Sequence, residues 1–288
     1  MPRTAPPSCR RFGILATVLT AILLPAVARA GWFADDQGVY RVYQGDRLLG
    51  TEQVTFEQRN DSSVVVSLIG ELLPRPGGIL DTLRKNSVLA VSARDGSVRA
   101  YQSHESLNGD LLSRSLSMSD ETYTSYRESS AGGYGDTFER PPGRIYIVDQ
   151  QVFALFDVIC RDMHAQRFDE RPITMLYVTG RDTAVDGRVK RLGKAPFKIG
   201  KQTVIAEKFR ISDPWSQFFA WVSPSGRMLR LTLPAVGLRV DRDPESLKRG
   251  RAIKPIPTSA IGVPEVLLTP DLKRAPTPHP DSLPPPRR

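Results

Sequence analysis

Turn-forming residues recur at short intervals along this chain and separate runs of β-branched and aromatic residues. Asn108-Gly109 is a strong two-residue hairpin signal, and Asp186-Gly187 and Pro224-Ser225-Gly226 mark further turns. This pattern indicates an antiparallel meander, with about six strands before one helical segment and about six after it.

The segment between the two groups of strands has helical spacing, and Asp149 is a suitable N-cap for it. Arg171-Pro172 is expected to end the helix, and residues 129–143 before it are expected to form a loop. We therefore predict a mainly β domain over residues 31–244. It is a curled antiparallel sheet, either a half-barrel or a closed barrel, with one principal helix packed on its concave face. The apolar residues at helical spacing are Val152, Phe153, Phe156, Ile159 and Met163.

Residues 1–30 have the parts of a secretory signal peptide. Arg3, Arg10 and Arg11 precede an apolar run that starts at Phe12, and Ala28-Arg29-Ala30 supplies a small-x-small end. A membrane anchor is the alternative, but an apolar run of 17 residues is at the lower edge of what spans a bilayer. We expect cleavage after Ala30, a periplasmic or otherwise extracytoplasmic location, and no transmembrane span after processing.

Residues 245–288 are rich in proline and basic residues, which predicts an extended or disordered tail. This tail is either an inert solvated segment or a contact for an envelope partner. The formal net charge of +9 divides into +4 for residues 1–30, +4 for the tail and +1 for the body. A nucleic-acid-binding domain concentrates positive charge on its folded part, so no nucleic-acid partner is expected.

Little in the sequence points to catalysis, and no cofactor and no metal site are expected. Removal of the leader takes Cys9 away and leaves Cys160 without a disulfide partner. Asp157, Cys160 and His164 would share one helix face, which keeps a cysteine-dependent enzyme as a minor alternative. A zinc site that adds His104 has no recognisable ligand spacing.

An aromatic cluster precedes the late Pro224 turn and is the more promising candidate site. If residues 218–222 form a strand, Phe219 and Trp221 face one side while Phe218 faces the other. A strand that is apolar on both faces must be covered on both, either by packing alone or by a ligand in an apolar cavity. The candidate ligand-binding residues are Trp215, Phe219 and Trp221.

Two segments resemble a family of uncharacterised secreted β-rich bacterial proteins. The first runs from Val39 to Tyr43 with Leu49-Gly50-Thr51, and the second covers residues 219–231. In outline the chain is also similar to the half-barrel of periplasmic lipoprotein carriers (LolA-like), which shelter acyl chains in an apolar concavity. The resemblance implies a β-rich fold over residues 38–243 and an extracytoplasmic compartment, and it suggests a lipid ligand.

Three functions follow from these observations. The first is a non-enzymatic extracytoplasmic binding protein for an apolar or amphipathic, lipid-like ligand. The second is a structural or partner-binding cell-envelope protein with a filled core. The third is an enzyme that uses Cys160 with His164.

Overall fold

The computed structural model describes residues 35–59, 63–72, 83–107, 109–178 and 181–247. The predicted signal peptide and the tail beyond residue 247 lie outside these residues, so both stay predictions. Within the described residues, no helix has the length and apolar character needed to cross a membrane.

Fifteen strands of the described chain form one sheet, and one α-helix interrupts their succession. The first group consists of β1 (Asp36–Gln44), β2 (Arg47–Gln58), β3 (Ser63–Leu72), β4 (Leu83–Ser92), β5 (Val98–Leu107), β6 (Asp110–Met118), β7 (Thr122–Ser129) and β8 (Gly132–Glu139). The second group consists of β9 (Ile145–Val148), α1 (Leu155–Gln166), β10 (Glu170–Tyr177), β11 (Thr183–Ile199), β12 (Gln202–Ser212), β13 (Gln217–Val222), β14 (Met228–Leu233) and β15 (Leu238–Arg242).

The strand order explains how the two groups form one sheet. It runs β8-β7-β6-β5-β4-β3-β2-β1-β15-β14-β13-β12-β11-β10-β9, so β1 and β15 meet in the middle. Neighbouring strands are antiparallel, except that β9 and β10 are parallel, with α1 between them in the chain. Among the described strands no ladder joins β8 to β9. The predicted antiparallel, mainly β architecture is therefore confirmed, and the sheet is not closed into a barrel.

One face of this sheet carries the main core. Residues paired across a ladder point to the same side, and Tyr40 is paired with Glu52 on β2 and with Arg242 on β15. Helix α1 packs on this face. Its Phe156 ring lies 4.5 Å from that of Phe218, and residues 155–163 are buried. The expectation that this face is concave stays a prediction.

The predicted start and end of the helix are wrong. Helix α1 begins at Leu155, and the side chain of Asp149 binds Lys85 and Tyr101 instead of capping the helix. No side chain caps the first turn of α1, but Glu52 of β2 accepts the N–H groups of residues 153 and 154, just before the helix, at 3.0 and 2.8 Å. The helix ends at Gln166, and the predicted stop at Arg171-Pro172 lies within β10.

The predicted loop at residues 129–143 contains an eight-residue strand, β8. Its glycines fit beneath the side chain of Tyr126 on the neighbouring strand. A Cβ on Gly133 would lie 2.3 Å from the Tyr126 hydroxyl oxygen, and one on Gly135 would lie 3.2 Å from its ring. These glycines therefore permit a close strand contact here, although glycine usually weakens strands.

The sequence also predicted too few strands. One reason is that a single predicted strand is two strands, β6 and β7, in the structure. Strands β6 and β7 are separated by a short turn, in which the Ser119 hydroxyl accepts the Thr122 N–H at 3.0 Å. Strand β9 was missed as well, since its four buried residues lie just before the helical segment.

Candidate functional site

Two parts of the sheet that are far apart in strand order line one cavity of about 310 Å³. One part is the β7–β8 hairpin at the end of the sheet, and the other is Arg181 and Asp182, which directly precede β11. We call this space the seam cavity, because it lies between two parts of the sheet that no described ladder joins. It is lined by Ser125, Arg127, Tyr134, Asp136, Phe138, Arg181 and Asp182.

The strand register places the side chains of the hairpin on one face. Arg127 is paired with Tyr134, and Ser125 is paired with Asp136. On the other side of β7, Arg127 is also paired with Arg114 of β6. One side of the hairpin therefore carries the Arg127 guanidinium, the Tyr134 phenol ring and the Asp136 carboxylate.

A long ion pair crosses the cavity. The Arg127 Nη2 atom lies 3.6 Å from the Asp182 Oδ1 atom, which is beyond hydrogen-bond distance. The side chain of Asp182 is only 4% exposed, and within the described residues its Oδ2 atom has no hydrogen-bond partner. Buried carboxylate oxygens are normally paired, so this atom is available to a hydrogen-bond donor.

Arg114 of β6, the partner of Arg127 across the strand ladder, does not line the cavity. Within the described residues, Nη1 of Arg114 is buried without a hydrogen-bond partner. Burial lowers the pKa of Arg114, and the charge of Arg127 lowers it further. Burial together with the negative charge of Asp182 raises the pKa of Tyr123, whose ring stacks on Phe138 at 5.0 Å.

A buried polar cluster joins the start of α1 to β2, β4 and β5. Lys85 lies 2.5 Å from Asp149 and 3.1 Å from Glu105, and Tyr101 also donates to Asp149. Burial raises the pKa of Glu52 to about 7, although its two backbone N–H bonds act in the opposite direction. Hydrogen bonds hold these groups together, and they line no described cavity.

A second buried network fixes α1 to the middle of the sheet. Asp157 accepts hydrogen bonds from the Tyr40 hydroxyl and from the Met228 N–H, both at 2.8 Å. Arg242 binds Asp36 at 2.8 Å, and a Cβ on Gly38 would lie 2.6 Å from its guanidinium. Each of these charges has an opposite partner, and the network connects α1 to β1 and β15.

The structure places the three predicted ligand-binding residues away from the seam cavity. Trp215 is 65% exposed, and its ring lies 5.5 Å from that of Tyr177. Phe219 and Trp221 face away from the main core, with the Lys208 ammonium 5.0 and 4.9 Å from their ring centroids. Trp221 also packs on a smaller cluster that consists of Phe197, Ile199, Ala206 and Leu229.

The residues predicted for cysteine chemistry have other partners in the structure. Cys160 is buried, and burial together with the charge of Asp157 raises its thiol pKa. His164 Nδ1 lies 3.2 Å from Glu207, whereas Asp157 is bound to Tyr40. His104 Nδ1 lies 2.9 Å from the Ser113 hydroxyl.

Sequence reasoning missed the residues that line the seam cavity. Tyr134, Asp136 and Phe138 alternate with small or polar residues, which is the period of a strand. That alternation is the signal that identifies β8 and one wall of the cavity. No local sequence pattern predicts that Asp182 lies close to Arg127, because this contact depends on the path of the whole sheet.

Together these features define a class: an open antiparallel sheet with one buried helix and a polar-aromatic cavity between distant strands. A similar solved structure is the crystal structure of a β-barrel-like protein of domain of unknown function DUF1849 from Brucella abortus. It matches with a TM-score of 0.50 and 8% identity, over 74% of this chain and 97% of that chain. At this identity the likeness shows the fold alone.

Two further comparisons give no match. No family model matches the chain, and no curated protein matches it significantly. The likeness to lipoprotein carriers is not confirmed by these comparisons, and it stays a prediction.

Proposed function

We propose that this chain is an extracytoplasmic, non-enzymatic binding protein whose seam cavity holds an amphipathic, lipid-like ligand. The observation that carries the proposal is the buried Oδ2 atom of Asp182 in the cavity wall, which has no hydrogen-bond partner in the part of the chain that the structure describes. A volume of about 310 Å³ is at the lower end of small-ligand sites, which favours a headgroup or a short chain segment.

The lining supports an amphipathic ligand because it has apolar and charged parts. The rings of Tyr134 and Phe138 offer apolar surface, and Tyr134 is 58% exposed. Arg127, Arg181 and Asp182 supply charges that orient a polar group. The compartment rests on the predicted leader, and the non-enzymatic role is favoured because Cys160 and His164 have separate surroundings.

Native mass spectrometry tests this proposal. The secreted protein is purified gently, incubated with a polar lipid extract, and examined for added mass before and after incubation. We expect a bound lipid that Tyr134→Ala removes and that the control Trp215→Ala retains, since Trp215 is exposed outside the cavity. A folded protein that stays empty in both conditions contradicts the proposal, as does loss of lipid only in the control.

The second candidate is a partner-binding envelope protein with a filled core. It is favoured by the position of α1, which occupies the core face with Phe156 against Phe218. In that case the lipid experiment gives an empty protein, and cross-linking in intact cells gives an adduct that deletion of residues 248–288 removes. Unchanged cross-linking after the deletion contradicts the predicted role of the tail.

A further inference from the structure

We infer that the seam cavity recognises a zwitterionic group of the phosphoethanolamine type, with a primary ammonium at Asp182 and a phosphate at the arginines. This inference rests on the proposed function and specifies the chemistry of its ligand. Four observations carry it: a buried acceptor, the balance of charge, the placement of that charge, and the aromatic wall.

The buried acceptor calls for a donor from the ligand. Asp182 is 4% exposed in its side chain, its Oδ1 atom is 3.6 Å from Arg127, and Oδ2 has no hydrogen-bond partner in the described chain. A buried carboxylate without hydrogen bonds is unfavourable, whereas a hydrogen bond from a charged donor is among the stronger ones. A primary ammonium supplies three N–H donors and a compensating charge.

The charge of the lining favours a ligand that carries both signs. Two arginines and two aspartates line the cavity, so their formal charges cancel. A purely anionic ligand would be repelled by Asp136 and Asp182, and a purely cationic ligand would be repelled by Arg127 and Arg181. A zwitterion has zero net charge, as the lining does, and each of its two charges can lie beside an opposite charge of the lining.

The placement of these charges gives the zwitterion an orientation. The side chains of Asp182 and Arg127 are mostly buried, whereas Arg181 and Asp136 are exposed, so the recess holds an ion pair in which the Asp182 Oδ2 atom has no hydrogen-bond partner among the described residues. A small ammonium fits the recess, and the larger phosphate then lies against the guanidinium of Arg181. Arginine matches phosphate through its fork of N–H donors.

The aromatic wall suits the chain that follows the headgroup. The Arg127 guanidinium lies 5.6 Å from the Tyr134 ring centroid, so a charged group and an apolar surface are adjacent. Phe138 is half-buried and Tyr134 is exposed, which gives apolar contact from the interior outward. A headgroup bound at Asp182 therefore directs its chain along these rings.

The test is a binding titration of the full secreted chain by isothermal calorimetry with four probes. They are lysophosphatidylethanolamine, lysophosphatidylcholine, lysophosphatidylglycerol and free phosphoethanolamine. The choline ammonium has no N–H, and the glycerol headgroup has no cation. We expect the ethanolamine lipid to bind at least about tenfold more tightly than the other two lipids, because among the three lipids its headgroup alone offers a charged N–H donor to Asp182.

Two variants and a control identify the group responsible. Asp182→Asn should abolish the preference for ethanolamine over choline, and Arg181→Gln should weaken all three lipids. Asp186→Asn is the matched control, because Asp186 is exposed and does not line the cavity. Circular dichroism and thermal unfolding check that each variant folds, and Arg181→Gln still tests the phosphate contact if Asp182→Asn does not fold.

The outcomes separate this inference from the proposed function. Lipid binding without a preference for ethanolamine, or a preference that survives in folded Asp182→Asn, overturns the inference and leaves the proposed function standing. No binding of any of the four probes overturns both. Binding of free phosphoethanolamine as tight as that of its lysolipid supports zwitterion recognition and contradicts a lipid ligand.

Discussion

The Arg127 guanidinium of β7 lies 3.6 Å from the carboxylate of Asp182, the residue before β11. Strand β7 is second from one end of the sheet, and β11 is third from the other end. Among the described strands no ladder joins these two ends of the sheet. The side-chain contact between Arg127 and Asp182 connects them instead. Arg127 and Asp182 also line the seam cavity, so the proposed binding site includes residues that connect these two ends.

The first prediction concerns the stability of this contact. Arg127→Gln leaves Asp182 buried without its ion-pair partner, at an expected cost of about 1–3 kcal/mol in the free energy of unfolding. We also expect faster amide exchange in β7 and β8, because the edge hairpin loses a contact across the seam. Hydrogen exchange with mass spectrometry measures both effects. The exposed Arg47→Gln is the control, and equal exchange in β7–β8 of the two variants contradicts the prediction.

The second prediction concerns the pH dependence of stability. Burial raises the pKa of Glu52 from its usual 4.5 to about 7. The folded state therefore binds the proton more tightly, and this contribution to stability is complete below pH 4.5 and is lost as the pH rises through 7. A rise of this size corresponds to about 3 kcal/mol.

The Glu52→Gln variant isolates this contribution, since other groups titrate in the same range. Between pH 4.5 and 8, we expect the unfolding free energy of the wild type to fall relative to that of Glu52→Gln. Urea titrations across that range measure the difference, with Glu57→Gln as the exposed control. Parallel curves for wild type and Glu52→Gln are the result that rejects a raised pKa.

The third prediction concerns the close approach of Gly38 and Arg242. A Cβ at residue 38 would lie 2.6 Å from Nη2 of the fully buried Arg242, which must then shift away from Asp36. We expect Gly38→Ala to lower the unfolding free energy by about 1–3 kcal/mol, as overpacking does. Gly70→Ala is the control, because its nearest contact would be 3.5 Å from the Cβ. Equal urea midpoints for the two variants would show that Arg242 moves without cost.

The fourth prediction concerns the free cysteine. The Cys160 thiol is buried, and burial raises its pKa well above the usual range. We expect no reaction of the native protein with a thiol reagent at pH 8, and complete reaction after unfolding in guanidinium chloride. Rapid stoichiometric labelling of the native protein would revive the cysteine-dependent enzyme.

Sequence reasoning predicted the features whose signals are local. The predicted hairpin signal at residues 108–109 lies in the sequence between the end of β5 and the start of β6, and Phe156, Ile159 and Met163 of the predicted helix lie within α1, whereas Val152 precedes it. Alternation in residues 218–222 also placed Phe218 opposite Phe219, and the structure puts them on different faces.

Features that depend on distant contacts were not predictable in this way. The segment just before α1 is held by the carboxyl group of Glu52, 102 residues before Ala154, whereas the sequence assigned the start of the helix to Asp149. The seam cavity combines β7, β8 and Asp182, which meet only because of the path of the whole sheet. No local pattern in the sequence encodes that meeting.

The measurement that tests the central claim most directly is hydrogen exchange of the secreted protein with and without a saturating polar lipid extract. The account predicts that lipid slows amide exchange in β7, β8 and the first residues of β11, which surround Arg127, Tyr134 and Asp182. Protection confined to residues 215–222, or no protection in a protein shown to hold lipid, would contradict a ligand site at the seam.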